Sequence, residues 1–147
     1  MKIQALAGLT ATLAFLPAVL VAHPARAENP EHVQQLVDTR MCAGCDLSGA
    51  DLSGAHLIGV DLRGADLSGA NLVSTNLEGA DLTGANLAGA NLTEAFLTNA
   101  VLNDANLNGI DLTRATMYHA QVSGASMQDI TLTDAEVFGT GISIGGD

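Results

Sequence analysis

From residue 45 to residue 139 one residue class returns every five positions, and this period limits the fold more than any other feature. With the centre of each unit called i, Leu holds that place without a break from Leu47 to Leu112 and again at Leu132. Met117, Val122, Met127 and Val137 fill the remaining centres, which makes 19 consecutive units with an apolar middle. Position i−2 is Ala in 14 of them, with Cys45, Val60, Thr75, Ile110 and Ile130 as the uncharged exceptions. Position i−1 is mostly Asp or Asn, and i+2 is Gly in 11 units. A period of five suits neither a helix of 3.6 residues per turn nor a strand of period two. Residues i−2 and i lie two apart, so extended backbone sends both side chains the same way. The chain must then turn before the pattern restarts, and Gly at i+2 supplies a permissive backbone for that turn. One small and one large apolar side chain per unit therefore face inward. Short fixed periods of this kind mark solenoids.

The run Cys45-Asp46-Leu47-Ser48-Gly49-Ala50-Asp51-Leu52-Ser53-Gly54 resembles the pentapeptide-repeat family, whose consensus is A(D/N)LXX. The resemblance implies an all-β solenoid, a right-handed quadrilateral β-helix with four units in each coil of 20 residues. On that expectation Leu47, Leu67, Leu87, Leu107 and Met127 stack in one interior column, and Leu52, Leu72, Leu92, Leu112 and Leu132 in the next.

The flanks read differently. Residues 1–27 have the form of a secretory signal: Met1 and Lys2, an apolar run from Ala5 to Ala22, then Ala25-Arg26-Ala27 as a cleavage pattern. An uncleaved anchor is the competing reading, since a run of about 18 apolar residues is at the short edge for a span. Residues 28–44 are expected to form a cap and linker. Within them Glu31 to Arg40 read as a short helix after Pro30, with Val33, Leu36 and Val37 as an apolar stripe laid over the first coil. Residues 140–147 form a Gly-rich tail with no helical stripe, so the far end is expected to have a weak cover or none, leaving a dimer contact or a frayed end.

Removal of the signal leaves Arg40, Arg63 and Arg114 against 16 acids, a net charge of −13. Three cations make no surface for nucleic-acid phosphates. No catalytic residue, cofactor or metal is expected. Cys42 and Cys45 form a CxxC at the mouth of the rod, and the expected state in an exported protein is a structural disulfide. Free buried thiols, a thiol-exchange pair, or a zinc site with His32 are the alternatives; zinc needs more ligands than these. His56 and His119 share a face but lie about three coils apart, roughly 15 Å by strand spacing, too far to share a metal. Asp46 over Asp66 and Asp61 over Asp81 are stacked carboxylates with the chemistry to bind Ca²⁺ or act as an acid/base pair, against the plainer role of turn capping. One column, Ser53, Val73, Thr93, Thr113 and Thr133, is rich in Thr, which favours extended backbone.

The placement of the aromatics is the most specific functional signal. After residue 27 the chain has three, Phe96, Tyr118 and Phe138, and all fall with Ile58 on the face centred on Leu57, Leu77, Leu97, Met117 and Val137. Outward aromatics gathered on one side form a candidate interaction face for an unidentified protein partner or a second copy. The expected function is thus a non-enzymatic, exported structural or protein-interaction module, without an integral membrane segment once the signal is removed. The resemblance implies the periplasm, or the thylakoid lumen for a cyanobacterial source. It also implies an alternative, an acidic DNA mimic acting on DNA gyrase or topoisomerase. The signal and the missing C-terminal dimerisation helix count against that alternative.

Overall fold

In the computed structural model the described residues are 29–142. The expected signal, residues 1–27, and the last five residues of the tail lie outside them. Parallel bridges join residues 20 apart, from Met41 with Asp61 to Thr116 with Glu136, in four columns. The chain therefore laps every 20 residues, and four five-residue units complete each lap. The contacts are isolated bridges rather than extended strands, because each unit turns before a second ladder residue can pair.

Each unit makes the same backbone bonds. The Leu47 N–H donates to the Asp66 carbonyl of the next lap at 2.7 Å, and the Gly49 N–H donates to the Ser68 carbonyl at 2.9 Å. In return the Asp66 N–H donates to the Cys45 carbonyl at 2.8 Å. The corner closes when the Ala50 N–H donates to the Leu47 carbonyl at 3.0 Å. The second central residue of that turn, Gly49, has φ 69°, the left-handed backbone a type II turn demands there. Ser74, Glu94, Asn99 and Arg114 adopt the same positive φ without being Gly, at a conformational cost that favours Gly and Asn.

The interior follows the five-residue rule. Leu centres from Leu47 to Leu112 and the Ala residues beside them, except the partly buried Ala55, are buried in one continuous core. Thr75, where most units have Ala, is also buried; its hydroxyl donates to the Leu52 carbonyl at 2.7 Å, which satisfies the polar atom. The ladder begins at Met41, one unit before the consensus boundary at Cys45, and Cys42 occupies an inward centre. At the far end Thr140 is buried and Ile142 packs against the core. The inward register thus continues into residues read from the sequence as tail.

Helix α1, Pro30–Thr39, lies over the first lap. Asn29 caps it, its side chain accepting the Glu31 N–H at 3.0 Å, and Pro30 stands at the first helical position, where a missing N–H costs nothing. Leu36 is fully buried and Val33 partly so, but Val37 is 63% exposed. The expected three-residue apolar stripe is therefore narrower, with Val33 and Leu36 packed on the core and Val37 facing solvent. Polar side chains of α1 also serve the open backbone edge. His32 Nδ1 accepts the Asp46 N–H at 2.9 Å, and Gln35 Nε2 donates to the Met41 carbonyl at 2.8 Å. Thr39 Oγ1 accepts the Met41 N–H at 3.1 Å, while Arg40 Nη1 donates to the Ile58 carbonyl at 3.2 Å. Cys42 and Cys45 are joined in a disulfide beneath the helix, with both residues buried.

Leu87 sits in the middle lap with no exposed surface. Leu87→Ala is expected to lower unfolding free energy by about 2–5 kcal/mol. Ala88→Ser, one residue on and facing outward, is expected to change it by less than about 0.5 kcal/mol; equilibrium denaturation checks both.

Candidate interaction face

The units centred on Leu57, Leu77, Leu97, Met117 and Val137 fill one wall of the rod. Because their centres point inward, i−1 and i+1 point out, and that places Ile58, Phe96, Tyr118 and Phe138 in solvent. Phe138 is 68% exposed and the other three between 38% and 48%. All four sequence-identified residues are thus on one wall. The three aromatics gather toward the later laps and Ile58 stands apart in the first. Phe96 is bridged to Thr116, and Thr116 to Glu136, so the aromatic positions climb two adjacent columns.

Two further residues organise the cluster and were not singled out for it in the sequence. His119 packs edge-on against Phe138, with ring centroids 5.7 Å apart. Glu136 accepts a hydrogen bond from the Tyr118 hydroxyl, and this bond to a carboxylate raises the phenol's pKa above its usual value. The signal for both lay in the 20-residue step, which places Phe138 over Tyr118 and Glu136 over Thr116. This wall also carries the fewest acids among the described residues of the laps, Glu78 and Glu136, whereas the wall centred on Leu52 carries Asp51, Glu94, Asp111 and Asp134. Low charge and exposed rings coincide, as they do at the centres of protein interfaces.

The carboxylate columns serve the turns. Asp46 Oδ1 accepts from the Ser48 hydroxyl at 2.6 Å and Asp111 Oδ1 from the Thr113 hydroxyl at 2.6 Å. Thr93 donates likewise to Asn91 Oδ1 at 2.7 Å, so hydroxyls of the Thr-rich column are turned back onto the Asx side chains. Hydrogen bonds from Ser53 and from Thr113 hold Asp51 and Asp111 below the ordinary carboxylate range. Between laps, Asn86 Nδ2 donates to Asp66 Oδ1 at 3.1 Å and Asn106 Nδ2 to Asn86 Oδ1 at 3.0 Å. An Asp stacked on an Asp has no such donor. At Asp61 and Asp81 the Arg63 guanidinium fills the gap, 2.7 Å from the first and 3.8 Å from the second.

Among the described residues no group of three or more His, Cys, Asp or Glu converges to hold a metal. His32, the zinc alternative, spends Nδ1 on the Asp46 backbone. His56 and His119 stand in the first and fourth laps.

Hydrogen bonds from the Arg63 side chain, then its backbone N–H, bring the Asp61 pKa to about 2. A depressed folded-state value stabilises the fold above the unfolded carboxyl pKa of about 3.9, and that contribution is lost as pH falls through about 2. Solvent screens the pair, so Asp61→Asn is expected to cost under about 1 kcal/mol at pH 7. The difference from the unaltered chain should vanish near pH 2 in parallel denaturation curves.

A family model described as pentapeptide repeats matches the chain in 8 copies, over residues 45–84, 80–117 and 97–134. A pentapeptide repeat protein from the thylakoid lumen of Arabidopsis thaliana is 31% identical over 69% of this chain, with TM-score 0.44. The chain spans 64% of that protein's length. A pentapeptide repeat protein from Nostoc PCC 7120 is 29% identical, covering 74% of this chain and 94% of that one, with TM-score 0.52. QnrB1, a plasmid-mediated fluoroquinolone resistance protein, is 21% identical over 68% of this chain and 61% of its own, with TM-score 0.53, a likeness of fold alone. Among curated proteins none matches. With lap, corner and consensus in agreement, the chain belongs to the pentapeptide repeat family.

Proposed function

We propose that this chain is an exported, non-enzymatic interaction rod that binds a protein partner, or a second copy, through the wall bearing Ile58, Phe96, Tyr118 and Phe138. The observation that carries the reading is the concentration of exposed rings on the least acidic wall of an otherwise acidic rod. Leu and Ala fill the interior, so a binding activity must use the outer walls. Pentapeptide repeat proteins are in general structural or interaction modules, and the rod is read as winding right-handed with four walls, as they do.

Export is supported by the signal-like residues 1–27. Among the described residues no helix is long and apolar enough to cross a membrane. The periplasm or a thylakoid lumen is the compartment this reading assigns, and the Cys42–Cys45 disulfide suits it. One feature favours the gyrase-directed DNA mimic, the excess of carboxylates on the other walls. However, Asp46, Asp51, Asp61 and Asp111 hold turn or arginine groups of their own chain. A supercoiling assay with purified protein separates the two readings, and unimpaired gyrase is the expected result.

Phe138 and Tyr118 are solvent-exposed, so Phe138→Asp with Tyr118→Asp is expected to leave the fold intact and abolish association. Crosslinking followed by mass measurement, alongside light scattering, reads this. Unchanged partner capture and unchanged oligomer mass would reject the assignment of the face.

A further inference from the structure

The hydrogen bonds between laps are unequal in the two directions, two N–H donors forward to one back in each unit, and this makes the two edges of the ladder chemically different. In every unit the N–H groups at i and i+2 point toward the following lap, and only the N–H at i−1 points back. Carbonyls run the other way: those at i−1 and i+1 point back, and the one at i−2 points forward. The last lap, with units centred on Val122, Met127, Leu132 and Val137, therefore ends in two N–H donors and one carbonyl per unit. Among the described residues none of those forward N–H groups has a backbone acceptor. Met127, Leu132 and Val137 are also only partly buried there. The first lap has the converse edge, two carbonyls and one N–H per unit.

The complement of the donor-rich edge is thus the first lap of an identical rod, in the register that already joins each lap to the next. We propose that the last lap is a stacking surface for the first lap of a second copy, and that α1 is the cover that prevents this. The helix does so by placing its own groups on the first edge. His32 supplies an acceptor to the Asp46 N–H, Gln35 and Thr39 occupy the Met41 carbonyl and N–H, and Leu36 covers the core. Head-to-tail contact of this kind does not close on itself, so it builds an open filament. An exposed sheet edge is a hazard of that sort, and covering it is a known remedy. With the first edge covered and the last edge without backbone acceptors among the described residues, the chain caps its own growth. This inference is independent of the aromatic wall.

The test uses the full exported chain with Leu36→Asp, which puts a charge at the one fully buried position of α1. Circular dichroism and small-angle scattering are recorded over a concentration series. The expected result is a folded protein whose mass rises about twofold or more with concentration while the cross-section of the rod stays constant, as an open heterologous contact requires. The unaltered chain should not lengthen. Adding Met127→Lys to Leu36→Asp should restore the short rod, because stacking would bury the new charge, whereas in the single rod the position is only partly buried. Three results overturn the proposal: a folded Leu36→Asp chain that does not lengthen; association that thickens the particle or ignores Met127→Lys, which would be non-specific aggregation; and loss of the fold, which would make α1 a foundation of the rod and no removable cover.

Discussion

The backbone bond from each lap to the next, repeated at a step of 20 residues, is the constraint from which the remaining structure follows. Its geometry leaves room inside for one small and one large apolar side chain per unit, and Ala with Leu meets that requirement. It also forces a corner every five residues, which selects Gly or a tolerant polar residue where φ is positive. The Asx residue at i−1 then has a local task, accepting the hydroxyl or N–H two positions on. Most of the composition is accounted for by these demands before any function is considered.

This division of labour restricts where selection for binding can act. Positions i−2 and i are committed to the core, and i+2 to the corner in most units. Side chains at i−1 and i+1 point outward, and the chain has placed its described rings there, on one wall. The side-chain oxygens of Asp46, Asp51, Asp61, Asp66 and Asp111 hold turns, a neighbouring lap or Arg63.

Much of this was legible in the sequence. A five-residue period with i−2 and i apolar is enough to point Leu47 through Leu112 inward, and the wall shared by Phe96, Tyr118 and Phe138 follows from counting in steps of 20, the lap that the family resemblance implies. The parts that were not legible depend on contacts between distant residues. Val37 belongs to a helical stripe by spacing, yet it stays exposed while Leu36 beside it is fully buried. His32 looked like a metal-ligand candidate, and only the docked helix reveals its ring nitrogen in the place of a missing lap's carbonyl. Thr75 breaks the Ala pattern without breaking the core, since the Leu52 carbonyl lies within reach of its hydroxyl. The Gly-rich tail promised a weak cover or none, and Thr140 and Ile142 nevertheless keep the inward register. Neither the polarity of the two ends nor the role of α1 in covering one of them is written in any single unit; both appear once the direction of every inter-lap bond is known.

Residue-resolved amide hydrogen exchange tests the central claim most directly, because the bonds between laps are its substance. The account predicts slow exchange at i−1, i and i+2 in each unit of the inner laps, repeating every five residues, and fast exchange at the forward N–H groups of Val122, Met127, Leu132 and Val137. Continuous protection of the helical kind through residues 45–139, or protection without a five-residue period, would contradict it.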